Sequence, residues 1–266
     1  MKRLDGKKAV VLGAASKDNM AQVIARRYAE EGATVLISGR NEEQLKELSS
    51  EIGGSYALCD ITDHGQVKQL AERAVEEMGA VDVAVNATGW GLLMPLLELS
   101  DEDLESIVKL QFIGVHYFLA EFVNTMMNNP TPGGSLINIS SATTKALVNN
   151  HAAYIGTKTG SEALIRCVAN DFGQYGIRAN TISPALTKTP MTEANFAMPG
   201  VPDIFASRVP LARLNTSADI AAAAVWLASD EAFVTGENMQ VNGGLTIRGN
   251  PQAVDIGKAI AEAQSS

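Results

Sequence analysis

The chain has 266 residues, 46% of them hydrophobic, and a net charge of −9. That length suits one α/β domain, or at most two small ones. The acidic balance and the lack of a long basic run argue against a nucleic-acid scaffold and against an anionic membrane surface. Along the chain, strand-like and helix-like segments alternate almost without interruption. Ala9–Leu12 is a short apolar run, followed by a loop and a helix to about Glu31. Thr34–Ile37 is the second strand, and a charged helix follows from Glu42 to Ile52. Tyr56–Leu58 is the third strand, with a helix from about His64 to Met78. Val81–Val85 is the fourth. A long helix then spans about Asp101 to Met127, with Ser100 as its N-cap. Ser135–Ser140 is the fifth strand, and a helix from Tyr154 to about Tyr175 follows. Arg178–Ile182 is the sixth strand, Ser217–Ser229 a helix and Met239–Val241 the last strand. Apolar runs of four or five residues between helices predict parallel strands buried on both faces. Repeated βαβ units predict a single-domain α/β fold, a doubly wound parallel sheet of about seven strands.

The irregular stretch 186–215 is rich in Pro, Met and Phe and reads as a lid over a pocket. Ile220–Ala228, the longest apolar run, is too short to span a bilayer. Met1–Lys8 leads straight into a strand and lacks the apolar core of a signal peptide. Two cysteines, Cys59 and Cys167, imply no disulfide framework, and three scattered histidines imply no metal site. A reducing cytoplasm is the expected compartment.

The most informative residues are Tyr154 and Lys158, with Ser141 thirteen positions before the tyrosine. Five tyrosines and eleven lysines give roughly 0.2 Tyr-x-x-x-Lys pairs by chance. Positions i and i+4 share one helix face, so phenol and ammonium point the same way, toward the strand end that carries Ser141. Such a trio can move a proton onto or off an alcohol oxygen.

The loop after the first strand, Gly13 to Ala21, offers a tight turn and a helix N-terminus to a pyrophosphate, with Asn19 and Met20 at that terminus. The second strand ends Ser38-Gly39-Arg40. A binder of the unphosphorylated dinucleotide would place an acid there, whereas Arg40 can pair a 2′-phosphate. Asp60, with Ile61 beside it, either accepts from an adenine amino group or caps the next turn.

Taken together, these residues resemble a short-chain dehydrogenase/reductase over nearly the whole chain. The family's Asn-Asn-Ala-Gly appears as Asn86-Ala87-Thr88-Gly89, its serine as Ser141, and its Tyr-x-x-x-Lys as Tyr154 and Lys158. Its Pro-Gly-x-x-x-Thr appears as Pro184 to Thr189, and its last Gly-Gly as Gly243-Gly244. The resemblance implies a Rossmann-type domain over residues 1–247, a nicotinamide cofactor and a homotetramer. It implies that Lys158 holds the nicotinamide ribose and helps lower the Tyr154 pKa, and that Ser141 polarises the substrate oxygen. Thr187 and Thr189 would hold the carboxamide.

Two departures stand out. The usual Gly-x-x-x-Gly-x-Gly is absent, and Gly13, Asn19 and Ala21 look more like the loop of bacterial enoyl reductases. Those enzymes separate Tyr and Lys by six residues, so the site here sides with ketone and alcohol enzymes. The fourth catalytic residue of the family, an asparagine that helps hold a water, aligns with Gln111.

The expected activity is NADP(H)-dependent interconversion of a secondary alcohol and a ketone, with NAD(H) as the second cofactor. Trp90, His151, Met191 and Phe196 are candidate substrate contacts, and the apolar lining favours a hydrophobic, cyclic or steroid-like substrate. Reduction of 3-oxoacyl chains on acyl-carrier protein, or cofactor binding without turnover, are the alternatives. Residues 248–266 are read as a helical extension, with Asn250 as cap and Pro251 in the first turn. Ala253, Ile256, Ile260 and Ala263 form its apolar stripe, expected to dock on a neighbouring subunit near that subunit's lid.

Overall fold

The computed structural model describes residues 2–265; Met1 and Ser266, the outer bounds of the expected domain and extension, lie outside the described residues. Seven strands form one parallel sheet in the order β3-β2-β1-β4-β5-β6-β7. They are β1 (Lys8–Leu12), β2 (Thr34–Gly39), β3 (Ser55–Leu58), β4 (Val83–Asn86), β5 (Gly134–Ile139), β6 (Ile177–Pro184) and β7 (Asn238–Val241). The order reverses beside β1, which pairs with both β2 and β4. That switch point opens a crevice beyond the carboxyl ends of the strands.

The helices divide between the two faces. On one lie α1 (Met20–Glu30), α2 (Glu42–Ile52) and α9 (Ser217–Ala228), burying Ile24, Tyr28, Leu45, Leu48, Ile220 and Val225. On the other lie α3 (His64–Met78), α4 (Asp101–Val108), α5 (Gly114–Met127) and α6 (Ala152–Phe172), with Leu70, Phe118, Phe122 and Ile165 at its centre. Both faces of the sheet are therefore covered, which is why its strands read as unbroken apolar runs. Local chemistry sets the helix ends. Asn19, Asn41, Asp63 and Ser100 each accept a first-turn N–H at the N-caps of α1 to α4. Gly53 and Gly79 close α2 and α3 in the left-handed region.

The expected long helix 101–127 is a single rod carrying a π turn at Lys109–Ile113 between α4 and α5. By length and composition alone this rod can cross a membrane. Here Val115, Phe118, Leu119, Phe122, Val123 and Met126 are instead buried against the sheet.

The expected lid contains α7 (Glu193–Ala197) and α8 (Val201–Arg208). After β7 come α10 (Leu245–Arg248) and α11 (Ala253–Ser265). One expectation for this end is corrected. The helix starts at Ala253, because the Asn250 amide is buried and donates to the Ala146 carbonyl rather than capping. The helix also rests on its own chain's α8, where the Arg208 guanidinium meets Asp255 at 2.9 Å. Gly200, at φ +76°, leaves room there: a Cβ would stand 2.5 Å from the Ala259 carbonyl oxygen.

Candidate active site

The parallel register aligns the strand ends. Leu12 lies opposite Ser38 and Asn86, and Asn86 lies opposite Asn138. Gly13, Arg40, Ala87 and Ser141 consequently follow their strands along one rim, above a cavity of about 730 Å³. Gly13 is required there. It sits at φ +108°, and a Cβ would stand 2.9 Å from the Ala87 backbone. Its amide donates to the Ser38 carbonyl at 2.8 Å, and its own carbonyl accepts from Asn19 Nδ2 at 2.7 Å.

Ser141, Tyr154 and Lys158 all line this cavity. Tyr154 and Lys158 stand one turn apart on α6, as their spacing predicts. The Ser141 hydroxyl hydrogen-bonds the phenol. Its oxygen also accepts from the Thr143 amide at 3.2 Å and the Thr143 hydroxyl at 2.9 Å, which leaves the serine proton free to be donated. Lys158 is buried, with its Nζ donating to the Ile139 carbonyl at 2.8 Å and the Thr88 carbonyl at 3.4 Å. Burial pulls its ammonium down to about 8, partly offset by nearby Glu162. Burial pushes the Tyr154 phenol above its ordinary value, and the Ser141 hydrogen bond pulls the other way. The lowering of the phenol is expected from Lys158 and the oxidised nicotinamide together; in the protein alone, burial prevails over Lys158. Its Nζ lies 5.9 Å from the ring centroid and is engaged with backbone.

A buried polar ladder ties the sheet to α6. Thr88 donates to Asn86 Oδ1 at 2.8 Å, Asn86 to Asn138 at 2.9 Å, and Asn138 to Ser161 at 3.4 Å. Ser161 then donates to the Lys158 carbonyl at 2.8 Å. Gly89 passes over this group: a Cβ there would lie 3.2 Å from Gln111 Oε1 and 3.4 Å from Lys158 Nζ.

Of the other expected residues, Asn19, Met20, Asp60, Ile61, Pro184, Thr187, Thr189, His151 and Met191 line the cavity, whereas Ser38, Asn86, Gln111, Trp90 and Phe196 do not. Ser38 is buried and shapes the Gly13 turn through its carbonyl. Asn86 serves the ladder. Gln111, in the π turn, donates to Thr157 at 2.9 Å and accepts from the Trp90 amide at 3.2 Å. Asp60 caps its own turn by accepting from the Thr62 amide and hydroxyl at 2.9 and 2.8 Å, and its other oxygen faces Arg40 at 3.5 Å. His151 packs edge-on against Tyr154 with centroids 5.2 Å apart, and burial lowers its pKa. Sequence reasoning missed Thr143, Val148, Asn149 and Leu245, and it noticed Ile256 and Ile260 only as a stripe. All six line the cavity.

The fit to a dinucleotide rests on the bare glycine turn at the N-terminus of α1, the exposed Arg40 and the small residues around Gly89. Among the described residues no cluster of His, Cys, Asp and Glu can hold a metal.

Comparison with known proteins agrees. The sequence profile of the family described as Enoyl-(Acyl carrier protein) reductase matches residues 13–246. D-threitol dehydrogenase of Mycolicibacterium smegmatis is 32% identical over 252 residues, covering 92% of this chain and 95% of that one. The mitochondrial borneol dehydrogenase of Lavandula x intermedia is 32% identical, covering 93% of each. The crystal structure of a gluconate 5-dehydrogenase from Burkholderia cenocepacia, in complex with NADP and tartrate, superposes with a TM-score of 0.87. It is 28% identical and the match covers 92% of this chain and 97% of that one. With the serine, tyrosine and lysine gathered at the switch point of such a sheet, the chain belongs to the short-chain dehydrogenase/reductase family, as an oxidoreductase of CH–OH groups.

Proposed function

We propose that the chain interconverts a secondary alcohol and a ketone with NADP(H), on a hydrophobic, cyclic or steroid-like substrate. The observation that carries this reading is the meeting of Ser141, Tyr154 and Lys158 in a cavity also lined by the apolar Leu93, Val148, Met191, Met198, Val201 and Phe205. The nicotinamide, when bound, supplies or accepts the hydride at the carbinol carbon. Tyr154 gives the substrate oxygen its proton in reduction and removes it in oxidation. Ser141, held as a donor by Thr143, polarises that oxygen. Lys158 holds the nicotinamide ribose, and a cationic ring beside the phenol favours phenolate where Lys158 alone does not. Gln111 acts as a positioning residue, bracing the first turn of α6 through Thr157.

Gly13, Asn19 and Met20 hold the pyrophosphate, Asp60 and Ile61 the adenine, and Thr187 and Thr189 the carboxamide. Arg40 supports NADP(H) over NAD(H), because no acid follows Ile37 and the guanidinium is exposed. Its present partner, Asp60, gives way to a 2′-phosphate. Residues 1–247 form the catalytic domain and 248–266 an extension. The partners are a small molecule and copies of the same chain, in a cytoplasmic homotetramer. Phe112, Ile113, Phe233 and Ile247 are the exposed apolar side chains that such an assembly would cover.

The test is cofactor oxidation over a panel of cyclic ketones with each cofactor, run beside a 3-oxoacyl thioester. The proposal expects the cyclic ketones and NADPH to be preferred. Turnover of the thioester alone, or of no ketone, would overturn the substrate class.

A further inference from the structure

The C-terminal helix reaches the same cavity as the catalytic residues. Ala253, Ile256, Gly257 and Ile260 of α11 line it, alongside Val201 and Phe205 of the lid. None of the α11 side chains is fully buried, and Ile256 and Ile260 are half-buried, so they face a compartment rather than a packed core.

Three sets of contacts fix where this wall stands. At its start, the Ala253 amide donates to Asn149 Oδ1 at 2.9 Å and Gln252 Nε2 to the Leu147 carbonyl at 3.3 Å. Buried Asn250 donates to the Ala146 carbonyl in the same segment. That segment leads directly into His151 and Tyr154. On its flank, Arg208 Nη2 meets Asp255 Oδ2 at 2.9 Å, and the Gln252 amide donates to the same oxygen at 3.0 Å. Farther along, Gly200 is pressed on the Ala259 carbonyl and on Ala263. An isolated helix this short is marginal in water, so its position is set by what it packs on.

We propose that Ile256 and Ile260 are specificity-determining residues: α11 closes its own chain's substrate compartment, and these two side chains set the largest ring system it accepts. The proposal rests on the reading of this cavity as the site of a hydrophobic ketone or alcohol. It differs from a generic lid in naming a wall outside the expected lid segment, held by the Arg208–Asp255 pair.

The test uses the full-length protein and the variants Ile256→Ala, Ile260→Ala and, as control, Val254→Ala, whose side chain is exposed on the same helix. Each is assayed with NADPH on cyclohexanone, 2-decalone and a four-ring 3-ketosteroid. Each ketone is also measured, with saturating NADP⁺, for its shift of the melting temperature, which reads binding without turnover. Removing one branched side chain should raise the kcat/KM ratio of large over small ketone by about 10-fold. The thermal shifts should move in the same order, and Val254→Ala should change neither. Flat ratios and flat shifts in both isoleucine variants would overturn the proposal. Shifts that reorder without turnover would leave it standing and sink the proposed reaction. A second construction, Arg208→Cys with Asp255→Cys in a Cys167→Ser background, tests the docking. A short bis-maleimide should bridge the pair within one chain, giving a band that migrates ahead of the untreated monomer and has lost both introduced thiols. A dimer-mass band would place the helix on a neighbour and overturn the proposal.

Discussion

Replacing Lys158 by Met should flatten the dependence of folding stability on pH in the alkaline range. Lys158 is 5% exposed, and burial lowers its ammonium from 10.5 to about 8. At about 1.4 kcal/mol per unit, that disfavours the charged form by on the order of 3 kcal/mol. Below pH 8 the folded and unfolded chains both carry the proton, so the whole penalty is present. Between about pH 8 and 10.5 the unfolded chain keeps a proton that the folded chain has lost, so stability rises with pH. Above 10.5 nothing more is gained. The variant has no such group, so wild-type stability should climb relative to it by about 3 kcal/mol across the window. Losing the hydrogen bonds to Ile139 and Thr88 moves the variant's baseline and not this slope. Urea denaturation of both proteins without cofactor, at steps from pH 7 to 10.5, measures it, provided the m-values agree. Other lysines and tyrosines titrate in both proteins and cancel. Parallel profiles would refute the claim that the ammonium is held out of water.

Tyr154→Phe should abolish turnover while fluorescence titration still shows cofactor binding; more than a few per cent of wild-type kcat would remove the phenol from proton transfer. Arg40→Ala should cut kcat/KM for NADPH by about 10-fold or more, from the loss of a charge-assisted pair, and leave NADH nearly unchanged. Equal losses with both cofactors would mean that Arg40 does not read the 2′-phosphate. Gln111→Ala should slow the reaction less than Tyr154→Phe does and cost about 1–3 kcal/mol of stability by orphaning the Thr157 and Trp90 contacts; an unchanged melting temperature would contradict that bracing. Truncation after Gly249 should raise the kcat/KM ratio of bulky over small ketones and leave the light-scattering mass per assembly unchanged, because α11 packs on its own chain. A change of oligomeric state would count against that placement.

Much of the fold was legible because its strands are short, apolar and regularly spaced. The helices Glu42–Ile52 and His64–Met78 fell where the caps Asn41 and Asp63 and the closing glycines put them. Tyr154, Lys158 and Ser141 were readable because one i,i+4 spacing and one strand end suffice to bring them together. The failures lie where local pattern carries no tertiary information. Nothing in the spacing of Gln111 says whether its carboxamide faces the cavity or braces Thr157. Ser38 and Asn86 sit at the right strand ends, but alternation cannot tell a ligand contact from a scaffold bond. The stripe on α11 was visible, yet an amphipathic helix announces only that it needs a surface. Gly200, which marks that surface, lies some sixty residues earlier in the chain.

The π turn at Lys109–Ile113 gives the long helix the character of a crystal with a dislocation. A regular α-helix turns 100° per residue, so positions four apart drift steadily around its axis. The wider turn, in which the Gly114 amide reaches back to the Lys109 carbonyl, winds less per residue and cancels part of the drift. Ile107, Gln111, Val115 and Leu119, each four apart, are thus all kept inward. The defect is pinned on both sides, by the two hydrogen bonds of Gln111 and by Gly114, where a Cβ would stand 2.8 Å from the Ile61 carbonyl. Winding the same residues as ordinary α-helix, with none removed, would heal the lattice and rotate one half of the rod by about 100° against the other. Either Ile107 or the row from Val115 onward would then face solvent, so this is a helix in which perfect regularity is the damaging mutation.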